Sequence, residues 1–160
     1  MTTQPRLLVA VYASPVAAAL SSIGTQLGYR VVLVEPDAGL RNSAAWAEQA
    51  VAEIAALDGD PELGAADVVV TDHHRDDLGV HLRDALARPV RWIGIVGNPR
   101  HEGPHEAALA ALGVAPADVA RVHRPIGLDI GSRTGPEIAV ATLAGLLADR
   151  NGRPGGAFAP

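Results

Sequence analysis

Two short runs decide the fold of this chain: Leu7-Leu-Val-Ala-Val-Tyr12 and Arg30-Val-Val-Leu-Val-Glu35. Each is continuously apolar rather than alternating, the pattern of a strand buried on both faces of a parallel sheet. Between them, Ala13-Ser14-Pro15 turns the chain and residues 16–27 read as a helix. Gly28 stands where a helix end takes a left-handed residue. Strand, helix and strand within about 30 residues make a right-handed βαβ unit.

The alternation continues outward from this unit. Residues 36–42 read as a loop, and Ser43 as the cap of a helix running to about residue 57, where Asp58-Gly-Asp-Pro61 breaks it. Asp67-Val-Val-Val-Thr71 is the third strand, followed by the charged loop Asp72-His-His-Arg-Asp-Asp77 and a helix over residues 77–87, which Pro89 ends. Arg91-Trp-Ile-Gly-Ile-Val96 is the fourth strand, Gly97-Asn-Pro-Arg100 turns after it, and residues 104–112 read as a helix. Arg121-Val122-His123 is a short fifth strand. Thr134 and Glu137 then stand at capping-box spacing with Pro136 in the first turn, and Ile138, Thr142, Leu143 and Leu146 follow at helical spacing. The Gly- and Pro-rich residues 151–160 read as a disordered tail. The expectation is one domain over residues 1–150. It is an α/β, doubly wound, Rossmann-like parallel sheet of about five strands in the order 3-2-1-4-5, with helices on both faces.

Composition narrows the chemistry. The chain has no lysine and no cysteine, so a P-loop or Schiff-base lysine, disulfides, thiolate metal sites and a cysteine nucleophile are excluded. Net charge is −5 without a basic run, which points away from nucleic acid and membrane surfaces. No apolar run reaches the ~18 residues of a membrane span. Met1-Thr-Thr-Gln-Pro-Arg6 lacks a signal-peptide pattern, so a cytoplasmic location is expected.

In a doubly wound sheet, ligands bind at the carboxyl ends of the strands. That edge should gather residues 13–15, 35–40, 71–77 and 97–101, with the loop 127–134 covering it. A dinucleotide site wants Gly-x-Gly-x-x-Gly in the first turn. Here the turn is Tyr12-Ala-Ser-Pro-Val16: Ser14 caps the helix but carries a Cβ, and Pro15 removes a donor N–H. Glu35 occupies the position of the acidic residue that meets a ribose hydroxyl, or is a solvated strand-end carboxylate. Asp72, His73 and His74 are able to bind a metal or carry a proton, or are simply a solvated loop in which Asp77 caps the next helix. Arg100, beside Gly97 and Asn98, is a candidate anion ligand or a surface arginine. His101-Glu-Gly-Pro-His105 matches a metalloprotease pattern only in letters, because Gly103 and Pro104 interrupt the helix that would align the two histidines. No metal site and no catalytic residue is assigned. The loop before the last helix carries Gly131, Arg133 and Thr134 beside a helix N-terminus, a geometry suited to an anion. Asp129 should accept hydrogen bonds from its own loop or from a ligand's nitrogens.

His123-Arg-Pro-Ile-Gly-Leu-Asp-Ile-Gly131, with Thr134 and Glu137-Ile-Ala139, closely resembles the C-terminal segment of the XdhC/CoxI family, accessory proteins of molybdenum hydroxylases such as xanthine dehydrogenase and carbon monoxide dehydrogenase. Ile93-Gly-Ile-Val-Gly-Asn98 resembles the family's Ile-Gly-Leu-Leu-Gly-Ser, and Thr71, His74 and Asp77 match its Thr-His-Asp-His loop with a later Asp, with Asp72 and His73 exchanged. The family's Gly-Ala-Gly-His-like first turn is missing, as is its N-terminal Gly-Gly-Cys module. The resemblance implies a maturation factor rather than an enzyme. Its ligand would be the molybdenum cofactor (molybdopterin) or a related nucleotide. Its partners would be an apo molybdenum hydroxylase subunit and a separate protein supplying the N-terminal module; a homodimer is compatible with it. Ser14, Glu35, Thr71, His74, Gly97, Asn98, Arg100, Asp129, Gly131, Arg133 and Thr134 are the cofactor-contacting candidates. Two alternatives stay open: an NAD(P)-dependent oxidoreductase with a degenerate glycine turn, and a nucleotide-sensing or interaction module without chemistry.

Overall fold

The computed structural model describes residues 6–160; the reading of the first residues as lacking a signal lies largely outside this range. Six parallel strands form one sheet: β1 (Leu7–Val11), β2 (Arg30–Val34), β3 (Ala50–Val51), β4 (Ala66–Val70), β5 (Trp92–Ile95) and β6 (Val122–His123). Their order across the sheet is β3-β2-β1-β4-β5-β6, with β1 between β2 and β4. The doubly wound parallel sheet is therefore as expected, and its order extends 3-2-1-4-5 by a sixth strand. The strand in third place, however, is Ala50–Val51, which the sequence reading takes for helix; Ala66–Val70 lies on the other side of β1 as the fourth.

The chain between β2 and β4 departs most from expectation. Instead of a loop and then a helix from Ser43, a short helix α2 (Ala38–Ser43) starts at once, capped by Asp37, whose carboxylate accepts the N–H of Leu40 at 2.8 Å. After it the Ala-rich segment extends onto the open edge of β2, where Leu33 N donates to Gln49 O and Glu35 N to Val51 O, both at 2.9 Å. Free β2 donors thus override a local helix preference. Helical structure resumes only as the tight turns Ile54–Leu57 and Leu63–Ala65.

The other helices are α1 (Pro15–Gln26), α3 (Leu78–Leu86), α4 (Pro104–Ala111), α5 (Pro116–Val119) and α6 (Gly135–Arg150). They cover both faces. On one, α1 and α6 pack together, and Val16, Leu20, Ala139, Leu143 and Leu146 meet Leu8 and Val69 of the sheet. On the other, Leu78, Leu82, Leu86 and Leu109 cover Leu7, Val9, Val68, Val70 and Ile95. Every residue of β1 and β4 is buried, which is why their sequences run apolar without alternation. After Arg150 the chain is irregular; Arg153 N still donates to Ala148 O at 2.8 Å, and Gly155 lies against Leu128 and Ala148. Among the described residues no helix is long and apolar enough to cross a membrane.

Candidate functional site

The loops at the carboxyl ends of β1, β2, β4 and β5 meet at one edge, as a doubly wound sheet requires. The first turn forms its floor. Tyr12 has φ +77°, a left-handed conformation that costs a bulky residue free energy and that a glycine adopts freely. The turn thus keeps the backbone shape of a glycine turn but fills it with a fully buried ring. Tyr12 Oη donates to Asp77 Oδ1 at 2.7 Å, and the Arg75 guanidinium lies 4.3 Å from the ring centre. Burial, with the adjacent Asp77 carboxylate, pushes the phenol pKa far up, so Tyr12 stays neutral. Asp77 also pairs with the buried His81, Nε2 to Oδ2 at 3.2 Å. Burial works to raise Asp77, but the bond from Tyr12 and the His81 contact outweigh it and hold the carboxyl below its ordinary value. Asp77 therefore ties Tyr12 to α3 and makes no side-chain cap.

Glu35 is fully buried. Its Oε2 accepts Ala13 N at 2.9 Å and Arg75 Nη1 at 3.2 Å; its Oε1 accepts Asp37 N at 2.9 Å and Arg75 Nη2 at 2.8 Å. Burial alone would raise its pKa, yet Arg75 and the two backbone donors overcome that and keep it ionised below the usual carboxylate value. With four donors already on it, Glu35 is neither a solvated strand-end carboxylate nor a free acceptor for a ribose. Arg75, which the sequence reading passes over, is the residue that closes this place. Its signal was a cation in the third loop facing the one carboxylate at the end of β2.

Ser14 caps α1, accepting Ala17 N at 3.1 Å, and donates to Thr71 Oγ1 at 2.8 Å. Thr71 in turn contacts the carbonyls of Val11 and Tyr12, both at 2.9 Å, and is itself buried. Both residues bind the turn to β4 rather than facing outward. At the α6 N-terminus the expected capping box is present: Glu137 N donates to Thr134 Oγ1, while Glu137 Oε2 accepts Thr134 N at 3.1 Å and Arg133 N at 2.7 Å. A carboxylate of the chain itself thus occupies the place of an anion there. Gly135, the first residue of α6, sits against Pro15, so the start of α6 abuts the first turn.

The outer rim is more open. His74 and Arg100 are exposed; His73 Nδ1 meets Val96 O at 3.1 Å, and the two histidine rings lie 4.0 Å apart. Asn98 folds the turn on itself, accepting Arg100 N at 2.9 Å. Gly97 leaves room for the Arg124 guanidinium, which donates to His101 O at 2.8 Å and Asn98 O at 3.2 Å. Arg124 thus pins the 98–101 turn, another role the sequence does not announce. α4 begins at Pro104, with His101 outside it and His105 buried, so the two histidines are not aligned on one helix. Among the described residues no group of three or more His, Cys, Asp or Glu gathers as a metal site.

Of the two roles expected for Asp129, the bonds within its own loop are not formed. Asp129 is exposed and accepts no hydrogen bond among the described residues; backbone bonds from Leu128 N to Ala141 O and Ile130 N to Leu128 O, both at 3.0 Å, shape the loop. Gly127 and Gly131 supply positive φ at its two bends, and the Arg124–Pro125 peptide is cis. Arg133 is exposed, and its guanidinium has no partner among the described residues.

The comparisons with known proteins agree with this architecture. Over 71 residues the chain is 37% identical to "Uncharacterized protein YqeB" of Escherichia coli (strain K12), covering 44% of this chain and 13% of that protein. The crystal structure of a xanthine dehydrogenase (BH1974) from Bacillus halodurans superposes on 92% of this chain and 45% of its own, with a TM-score of 0.69 at 19% identity, a likeness of fold. The chain thus spans less than half the length of either protein. The model of the XdhC Rossmann domain matches residues 8–146, nearly the whole of the sheet and its covering helices, and the chain belongs to that family.

Proposed function

We propose that this domain is an accessory factor of a xanthine dehydrogenase-type molybdenum hydroxylase, engaging the enzyme's phosphate-bearing pterin cofactor or the apoenzyme itself, and that it does not work with NAD(P). The observation that carries the second half is the closed first turn. Tyr12 fills the glycine place, Ser14 and Pro15 crowd the phosphate approach, and Arg75 holds the carboxylate a ribose would need. A dinucleotide would have to break a buried ion pair to enter, which costs more than its own ribose contact returns.

The first half rests on family membership and on the donors that remain. Ser14 takes Ala17 N at the start of α1 and Glu137 takes Arg133 N and Thr134 N just before α6, so an anionic group at this edge would rely mainly on side chains. Arg100 and Arg133 are exposed, without side-chain partners among the described residues, and their planar forks suit a phosphate. Molybdopterin, when bound, would bring redox chemistry that belongs to the hydroxylase; this chain would bind and present it. The oxyanion contacts, not a proton transfer, are its contribution, which is why no catalytic residue is assigned and why an oxidoreductase reading is disfavoured.

Co-expression with a molybdenum hydroxylase, followed by affinity purification and fluorescence assay of oxidised pterin, tests this reading. Molybdopterin or hydroxylase should co-elute, and Arg133→Ala should lower pterin retention about ten- to a hundredfold against the tail variant Arg153→Ala, as expected for one charge-assisted contact. Absence of both pterin and hydroxylase from the eluate, or calorimetric binding of NAD or NADP in the low-micromolar range, would refute it.

A further inference from the structure

At the opposite end of the sheet, away from the strand-end loops, Arg6 precedes β1, Arg91 precedes β5 and Arg150 ends α6. We propose that these three arginines form a separate binding site for a small oxyanion of the phosphate class. A cavity of about 280 Å³, of the size of a small phosphate compound, opens between them, lined by Arg6, Arg91, Asp149, Arg150 and Asn151.

The cluster is anchored from below. Asp67 of β4 is fully buried and accepts Arg91 Nε at 2.6 Å and Arg150 Nε at 2.9 Å. Arg150 Nη2 donates to Ala65 O at 2.7 Å, and Arg6 Nη1 to Leu27 O at 3.0 Å. The Arg6 and Arg150 guanidiniums lie 5.8 and 5.6 Å from the Tyr29 ring centre. Each arginine is therefore fixed by one part of its fork and keeps another part spare. Arg6 Nε and Nη2 and Arg150 Nη1 have no partner among the described residues, and Arg91 Nη2 is buried without one. A charged donor left unpaired in the interior is costly, so it marks a place built for a further acceptor.

The charges agree. Three guanidiniums face two carboxylates, one positive charge in excess, and one of the carboxylates, Asp67, is sealed beneath the cavity. The other, Asp149, is the only acid in the lining among the described residues; half-exposed on the last turn of α6, it meets Arg91 Nη1 at 2.6 Å. A carboxylate oxygen already meets Arg91 Nη1, as an external oxyanion's would, and Asp149 is its internal competitor. When an anion enters, Asp149 yields Arg91 Nη1 and swings toward solvent. Asn151 adds an amide donor at the rim.

The test follows from that competition. Inorganic phosphate and AMP are titrated, by calorimetry and thermal melting, against the full chain at constant ionic strength with chloride as the control. Arg91 and Arg150 are left intact, because they neutralise buried Asp67. Phosphate or AMP should bind and raise Tm where chloride does not. Arg6→Gln should weaken that binding about tenfold, one charge-assisted contact. Asp149→Asn should tighten it about two- to fivefold, the worth of one exposed ion pair. Equal affinity for the two anions identifies a free-phosphate site; a tighter AMP identifies a phosphoester site, and either supports the proposal. Stabilisation no greater than in chloride, indifference to both variants, or weaker binding in Asp149→Asn overturns it and leaves the cluster as a purely structural tie.

Discussion

Replacing Glu35 with Gln removes one charge and keeps the shape, so it measures what the closed first turn is worth. Each carboxylate oxygen accepts one backbone N–H and one Arg75 N–H. Whichever way the amide is oriented, its NH2 faces one of those pairs with donor against donor. Two charge-assisted bonds are lost, about 1.5–3 kcal/mol each, or about 3–6 in all. Arg75 is 24% exposed, so it turns partly to water and recovers some of this, which brings the net cost to about 3 kcal/mol. In a domain of this size that corresponds to a fall in Tm of about 6–12 °C. Urea unfolding at pH 7 reads the number directly. The pH dependence supplies an internal check. The folded-state pKa of Glu35 is depressed, so its contribution is present above its unfolded value of 4.5 and is lost as pH falls through the lower folded value. The gap between wild type and Glu35→Gln should therefore begin to narrow as pH falls below 4.5 and close only as it passes the lower folded value. A cost under about 1 kcal/mol at neutral pH, or a gap that is the same at pH 7 and pH 3.5, would show that Arg75 and Glu35 are not coupled as described.

Two further outcomes are expected. Burial pushes the His105 imidazole below 6.5, Glu106 failing to offset it, so wild-type stability should decline as pH drops below that value while the unfolded chain takes up the proton; His105→Leu should flatten the slope between pH 6.5 and 5, and an unchanged slope in denaturant midpoints would exclude His105 as its source. Gly127→Ala should cost about 2 kcal/mol or more, because φ is +87° and a Cβ would lie 2.9 Å from the Ala141 carbonyl carbon; a melting temperature within 1 °C of wild type would show the loop to be looser against α6 than the structure has it.

The parts of this fold that were legible in the sequence are those where one local signal suffices. The β1 run and the second half of β2 are apolar because both faces are buried there, and the α6 cap is spelled out by Thr134, Pro136 and Glu137. The edge strand Ala50–Val51 was not legible: its residues favour a helix, and only the unpaired edge of β2, remote in the sequence, makes them extend. At the strand-end edge, Glu35 and Ser14 were placed by position, but their use was not. Whether Glu35 serves a ligand or the protein depends on Arg75, 40 residues on. Arg124 and Tyr12 escaped for a related reason, since one acts through the carbonyls of another loop and the other through a backbone angle. The arginine cluster around Asp67 joins residues from 6 to 150 and leaves no motif at all.

The packing of α6 on α1 has a consequence for how the chain is made. Leu8, Leu20 and Val69, all fully buried, owe part of their cover to Ala139, Leu143 and Leu146. A ribosome that has released everything through β6 has therefore exposed a sheet with one face half bare. Such an apolar surface binds chaperones or other nascent chains for as long as it stays uncovered. The native packing of this domain becomes available only when Leu146 clears the exit tunnel. A slowing of translation while residues 124–146 are leaving the tunnel should then lower the soluble yield, whereas an equal pause while α3 emerges should not.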